Sequence, residues 1–489
     1  MKKKTSSHFP NLLLEKGCIK DQVYHAIREA ILYGHLCASV KVPSSRALAE
    51  MMSISRNSVL SAFERLIDEG YLVTRQGSGT FVSPIIPDEL TQTKSKKKIK
   101  AYEITVKDNI NPNIKNVEPL WKKSRPDITG RRIFSVGVGC VDLFPHELWG
   151  RLLGRVWRQS KKELAQFNDP AGYQALKDIL CHYVRSTRGL YCHAEQIIIV
   201  NGTQQAINLT ARVLLRENDE VWLDDPGYDG ALGILTSVGA KVRSVIADEN
   251  GMDISYGIKH WPNAKLVFTA PSHQFPLGST LSLSRRLTLL EWAAKHQVWI
   301  FEDDYNSEFR YFSKPIQALQ GLDQQQRVIY AGSFSKMMYP GFRLGFLVVP
   351  EQLIEPFKLM KYYTDSHSGY LEQATLAQFI SEGHYTRHVR RIRKICYERR
   401  EVLINAIKKY LPHIFKVQPA DSGIHMVCWL LNGLKENEVI EKCHQIGLNV
   451  QPLSRYCMKP YEREAVLLGY AAHTPTEIEE NIKRLSSIL

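Results

Sequence analysis

The stretch GSFSKMMYPGFRLGF (332–346) sets one lysine, Lys336, between hydroxyl side chains and follows it seven residues later with Arg343. The apolar run LGFLVV (344–349) behind it suits a buried strand. An aldehyde cofactor needs an amine to form a Schiff base, and Lys336 supplies one. A phosphate on the same cofactor needs hydroxyl and cationic partners, and Ser333, Ser335 and Arg343 fit that need. Taken alone, a lysine among serines is an ordinary surface residue. Its neighbours along the chain change that reading.

Upstream, IFEDDYNSEF (300–309) is an apolar strand that runs into acids and a tyrosine. Acids at a strand's carboxyl end mark solvent or a ligand crevice. Asp303 can keep a pyridine nitrogen protonated, which strengthens such a ring as an electron sink. Tyr305 can donate to an oxygen on the same ring. WLDDPGYDGA (222–231) puts Tyr228 on a Pro-Gly turn after a strand, where it can stack on a planar ring. NGTQQA (201–206) lies between a strand and a helix. There the backbone N–H groups of Gly202, Thr203 and Gln204, with the Thr203 hydroxyl, can hold a phosphate. Around these pieces, apolar strands such as IIIV (197–200) and EVWLD alternate with amphipathic helices from about 126 to 489. That alternation predicts an α/β domain with a large, mostly parallel sheet.

The first hundred residues read differently. Val23, Ala26, Ile27, Ala30 and Ile31 recur at helical spacing, and Gly34 ends the helix. Ser44 or Ser45 can cap a short helix through Met52. After a turn, a further helix buries Val59, Ala62, Phe63, Leu66 and Ile67 and exposes Arg56, Asn57, Ser58, Ser61 and Arg65. Two short helices with a tight turn and a polar, basic start on the second form a helix-turn-helix. YLVTRQGSGTFV (71–82) reads as two strands around Gly77-Ser78-Gly79, a wing able to lie against phosphates. Residues 12–83 therefore form one predicted domain. Residues 84–125 are polar, contain KSKKKIK (94–100), show no apolar period and read as a flexible linker.

Charge agrees with this division. The chain has 489 residues and a net charge of +14. Residues 1–100 hold 16 Lys/Arg against 9 Asp/Glu, so half the excess lies in a fifth of the chain. A basic end block calls for an anionic partner, nucleic acid before membrane. Nine cysteines without CxxC pairs or metal-like Cys/His spacing read as reduced thiols, with no metal site. The basic start MKKKTSSHFPNLLLEKG has too short an apolar run for a signal peptide. A cytoplasmic protein is expected.

The order P-S-S-R, S-R-N-S-V, E-G-Y-L, G-S-G-T-F-V resembles the winged helix of GntR-type bacterial regulators. That resemblance implies that Ser45, Arg46, Arg56, Asn57 and Ser58 lie at double-stranded DNA, with Gly77 and Gly79 shaping the wing. Asn57 stands where the family often has Thr. The C-terminal pieces, together with FNDPAGYQALKDIL (167–180), resemble fold-type I aminotransferases that carry pyridoxal 5′-phosphate. Such enzymes have a smaller C-terminal α+β subdomain beside the large sheet, and they usually carry Asn-Pro-x-Gly where this chain's TAPSHQFPLG segment (269–278) has His273-Gln274-Phe275-Pro276. The variant and the domain order resemble the MocR/GabR group, in which the two domains are fused.

The resemblance leaves three functions to separate. One is a regulator whose cofactor-bearing domain senses a small amine, an amino acid or pyridoxal phosphate itself. Another is an aminotransferase that carries a DNA-binding domain. A third is a regulator whose second domain only dimerises. The third loses ground because Lys336, Asp303, Tyr305 and Arg343 are all present. The second needs a cation for the substrate's α-carboxylate, and AVLLGYAA (465–472) offers Leu467 and Leu468 where family enzymes use Arg. Arg455 is the nearest basic substitute, and with His273 it is the predicted effector contact. A homodimer reading paired DNA half-sites is expected.

Overall fold

The computed structural model describes residues 18–85, 111–124, 132–312, 316–418 and 421–489. Residues 12–17 of the predicted head, 86–110 and 125 of the predicted linker, and 126–131 of the predicted second domain lie outside them. The chain divides into two compact units, one within 1–106 and one within 107–489.

In the first unit, helices α1 (Ile19–Leu32), α2 (Ser45–Met51) and α3 (Arg56–Asp68) precede strands β1 (Leu72–Arg75) and β2 (Gly79–Val82). Ser44 caps α2, its Oγ accepting from Ala47 N at 3.2 Å, and Ser55 caps α3 by accepting from Ser58 N at 3.2 Å. Such caps satisfy N–H groups that a helix leaves unpaired, and they fix where each helix starts. Val23, Ile27, Leu48, Val59 and Leu66 are buried together with Leu72 and Val82. The β1–β2 ribbon turns at Gly77, whose φ of +72° is the left-handed region that glycine enters without strain. This is a winged helix-turn-helix.

The second unit opens with α4 (Pro112–Ser124), α5 (His146–Gln159) and α6 (Gln174–Arg188). Then follow β3 (Ile197–Val200), α7 (Thr203–Leu214), β4 (Glu220–Asp225), α8 (Asp229–Ser237), β5 (Lys241–Asp248), β6 (Gly251–Met252) and α9 (Ile254–His260). The chain continues through β7 (Leu266–Thr269), α10 (Leu283–His296), β8 (Trp299–Asp304), β9 (Val328–Ser333) and β10 (Gly345–Val348). The eight strands form one sheet in the order β3-β10-β9-β8-β7-β4-β5-β6. β10 runs antiparallel to β3 and β9, β6 runs antiparallel to β5, and the remaining pairs are parallel. Helices cover the sheet, so its strands are buried on both faces; all four residues of β3 are buried even at the sheet's edge.

Helices α11 (Ile354–Asp365), α12 (Tyr370–Ser381) and α13 (His384–Tyr410) lead into a smaller part. There β11 (Phe415–Gln418), β12 (His425–Leu430), α14 (Glu436–Gln445), β13 (Gln451–Pro452), β14 (Ala465–Gly469) and α15 (Pro475–Ser486) build an antiparallel sheet in the order β11-β12-β14-β13. The fold is the large mixed sheet and small antiparallel sheet expected of a fold-type I aminotransferase.

One expectation needs correction. The stretch 84–125 was expected to be linker throughout, yet Pro112–Ser124 is helical and belongs to the second unit. Asn111 and Pro112, residue types that also break helices, start this one. Asn111 Oδ1 accepts from Asn113 N at 3.0 Å, and proline is at home in a first turn, where its missing N–H costs nothing.

Candidate cofactor and ligand site

A cavity of about 680 Å³ opens at the carboxyl ends of β4, β8 and β9, and the small sheet closes it from the other side. This is where an open α/β sheet offers strand-end loops and helix starts to a ligand. Thr203, Gln204, Tyr228, Asp303, Tyr305, Ser333, Ser335, Lys336 and Arg343 all line it. Residues from four separate stretches of sequence thus meet in one place.

Each is positioned by its local chain. β3 ends at Val200, and Gly202, with φ +85°, turns the chain into α7 so that N–H groups at the helix start face the cavity. Arg343 lies across that turn: a Cβ added at Gly202 would come within 3.3 Å of its guanidinium. Arg343 Nη2 donates to Asn201 O at 2.7 Å. Asn201 is held in turn, since its Nδ2 donates to Asp365 Oδ2 at 2.9 Å, and Lys361 Nζ donates to Asp365 Oδ1 at 2.6 Å. A helix start, two serines and a fixed guanidinium make a phosphate cradle.

Lys336 Nζ donates to Gly137 O at 2.6 Å. Burial pulls its amine below the usual lysine range, with the Asp303 carboxylate opposing and Arg343 adding to the shift. A lysine so placed keeps more of its reactive neutral form. Burial, with the neighbouring Asp304 charge, pushes Asp303 up to about 7, against the pull of Lys336. Asp303 Oδ1 and Tyr305 OH are buried without a hydrogen-bond partner among the described residues. Buried polar atoms normally have partners, so an acceptor and a donor facing the same cavity as Lys336 are what a protonated ring nitrogen and a ring oxygen would satisfy. Tyr228 OH accepts from Gln204 Nε2 at 2.7 Å, which fixes its ring at the wall. These residues fit pyridoxal 5′-phosphate. When bound, that group supplies an aldehyde and an electron-accepting ring.

The predicted effector contacts fare differently. Arg455 lines the cavity, and its Nε lies 3.6 Å from Asp229 Oδ2. His273 does not line it. The ring is buried, with Nδ1 2.8 Å from Ser422 Oγ, and burial with His425 and Arg310 nearby holds it down to about 3. Phe275, two residues on, takes the cavity wall instead, its ring packing edge-on against Tyr456, His425 and Tyr228. His273 is therefore corrected from a ligand contact to a neutral support behind Tyr305. Leu467 and Leu468 on β14 are fully buried, so that strand offers the cavity no cation.

Several residues of the site gave no signal in sequence. Gly137 accepts from Lys336 through its backbone, which side-chain motifs do not encode. His425 lines the cavity while its Nε2 lies 2.9 Å from Pro276 O; a lone histidine at a strand start carries no pattern. Asp224 lines it too, one carboxylate oxygen unpartnered among the described residues, and burial pushes it up to about 8. The acidic end of β4 held that hint.

On the first unit, Arg46, Arg56 and Asn57 are exposed and Ser45 and Ser58 half-buried, at the starts of α2 and α3. Gly77 and Gly79 lie at the tip of the wing, where the Arg75 guanidinium and Lys41 Nζ lie 4.6 and 6.0 Å from the Phe81 ring centre. Among the described residues no helix is long and apolar enough to cross a membrane.

Comparison with known proteins agrees with both units. Residues 19–82 match the family of bacterial regulatory proteins called gntR, and residues 146–485 match aminotransferase class I and II. The chain is 36% identical to the probable rhizopine catabolism regulatory protein MocR of Rhizobium meliloti, over 95% of this chain and 92% of that one. It is 31% identical to the transcriptional regulator TauR of Rhodobacter capsulatus over 97% of each, and 28% identical to the pyridoxine biosynthesis regulator PdxR of Corynebacterium glutamicum over 94% and 93%. The α-aminoadipate aminotransferase LysN of Thermus thermophilus has the same fold, with a TM-score of 0.69 and 24% identity, covering 76% of this chain and 96% of that one. The chain belongs to the MocR-type transcriptional regulators of the gntR family, in which a DNA-binding winged helix precedes a class I and II aminotransferase domain.

Proposed function

We propose that this regulator holds pyridoxal 5′-phosphate on Lys336 and uses the loaded cavity to sense a small ligand, either an amine or amino acid or the cofactor itself. In this reading Asp303 faces the ring nitrogen, Tyr305 the ring oxygen and Tyr228 the ring face. Ser333, Ser335, Arg343 and the Gly202–Gln204 turn hold the phosphate. One observation carries the sensor over the enzyme: a complete cofactor set lines the cavity, while β14 carries buried leucines where the resemblance to aminotransferases places a carboxylate-binding cation. The names of the relatives point to different small molecules, so the identity levels do not choose a ligand for this chain.

Arg56, Asn57 and Ser58 at the start of α3, with Ser45 and Arg46, would meet DNA, and the Gly77–Gly79 tip would meet phosphates. A homodimer reading paired half-sites in the cytoplasm completes the proposal. Its support is an apolar surface beside the phosphate cradle: Phe167 is 89% exposed, and Leu359, Tyr362 and Tyr363 stand exposed on α11. A patch of this kind suits a second copy better than water.

The test joins two measurements on the full chain. DNA affinity is followed while the cofactor, and then candidate amines, are titrated by absorbance. A change in DNA affinity with occupancy supports the sensor. Product formation from amino acid and keto acid at about 1 per second or faster would instead establish the enzyme.

A further inference from the structure

A second cavity of about 260 Å³ lies on the far side of the ligand-site wall. Asp224, Tyr228, Asp229, Arg455 and Tyr456 line both cavities, so the same side chains face the cofactor region on one side and this space on the other. Leu120 and Lys123 of α4 close the second cavity. α4 is also the last described segment before the ligand-binding domain's main chain begins, and in sequence it stands between the winged helix and the site.

α4 packs chiefly on α8. Lys123 Nζ donates to Cys457 O at 3.2 Å. Val117 and Asn113 rest on α8 where Gly233 and Gly239 leave room: a Cβ at Gly239 would lie 2.8 Å from Asn113 Nδ2. Against this, Pro119 removes one backbone donor from the helix, and Ile114 and Trp121 stay 51% and 56% exposed. A thirteen-residue helix is marginal on its own, so its order depends on docking. The docked face spans a void, where side chains lack the contacts that close packing would give. A helix held this way responds to small displacements of the wall beneath it.

We propose that α4 is the output element of the ligand site: occupancy of the main cavity repositions the Tyr228–Asp229–Arg455–Tyr456 wall and thereby changes how firmly α4 is docked. A change in α4 docking is thereby the step between occupancy of the site and DNA binding. The inference rests on the sensor reading, and it adds where the signal leaves the site. A ligand drives this only by binding the two docking states unequally.

The test uses the full chain with pyridoxal 5′-phosphate as the probe. Amide hydrogen exchange is compared in the stripped and loaded protein. Loading should change exchange across 113–124 by about tenfold, within the range usual for coupling between sites. Equal exchange there in the two states overturns the inference. Leu120→Ala should keep the yellow loaded form but lose at least most of the cofactor-dependent change in DNA affinity. If that variant responds to loading as fully as the parent chain, α4 is not the output element. If the parent chain's own DNA affinity ignores loading while exchange at 113–124 still changes, the sensor reading falls and the wall-to-helix coupling stands.

Discussion

Arg455 and Asp229 face each other across the rim of the ligand cavity, Nε to Oδ2 at 3.6 Å, and both also border the space under α4. The guanidinium best placed to hold a ligand's anionic end is thus already facing an internal carboxylate. An anionic ligand must compete for it. Asp229→Asn should tighten binding of amines that carry a distal acidic group by about three- to tenfold, and Arg455→Ala should weaken it by a similar factor, the scale of one partly buried charge contact. Absorbance titration with acidic and neutral amines reads both. Unchanged affinities in the two variants would remove Arg455 from the ligand contacts.

Lys336→Ala should lose the covalent cofactor adduct and keep the fold. Borohydride trapping followed by mass measurement decides it; a trapped adduct in the variant would place the attachment elsewhere.

Cofactor binding should depend on pH with a definite sign. Burial holds Asp303 up at about 7, and the ring nitrogen needs it ionised. Below that pH, binding must release its proton, so affinity should fall by up to about tenfold per pH unit as pH drops below 7. The lowered amine of Lys336 acts in the same direction. The cofactor phosphate also titrates near there, with a second pKa of about 6. Asp303→Asn separates the two: the slope between pH 6 and 7 should flatten in the variant toward the part that the phosphate supplies.

Arg188 and Asp304 form a buried pair behind the site, Nε to Oδ2 at 2.6 Å, with Tyr330 OH donating to the same oxygen and Arg188 Nη2 donating to Ser272 Oγ. Arg188→Ala removes the cation beside buried Asp304 and leaves it the Tyr330 hydroxyl. It should destabilise the second unit by about 3–5 kcal/mol. Denaturant unfolding followed by the signal of the bound cofactor would report it, and a loss under about 1 kcal/mol would contradict the role given to this pair.

Arg56→Ala should weaken DNA binding by about 1–3 kcal/mol if its guanidinium reads a base, and a footprint on operator DNA checks it. An unchanged footprint would mean that α3 is not the recognition helix.

How much of this was legible before the structure depended on what kind of atom does the work. Lys336, Asp303, Tyr305, Arg343 and Tyr228 announce themselves because side-chain chemistry at strand ends is written in residue type. Gly137 does its part through a carbonyl, which any residue could offer. His273 misled for a related reason: a histidine suggests chemistry, but the turn after β7 buries its ring against Ser422 and gives the cavity wall to Phe275. The helix α4 was missed because Asn and Pro serve equally as breakers and as starters. Which role they play depends on the face of α8 that waits for Val117 and Leu120, and no local pattern carries that information.

The exposed cations of the first unit make its contacts sensitive to salt. Lys41, Arg46, Arg56 and Arg75 stand exposed on the first unit, so contact with a polyanion would release counterions and weaken steeply as salt rises. The groups of the cofactor site are largely enclosed, and enclosed charges are poorly screened by salt. Ionic strength therefore acts on one half of the molecule and proton activity on the other. Raising salt should strip the protein from DNA while it stays yellow.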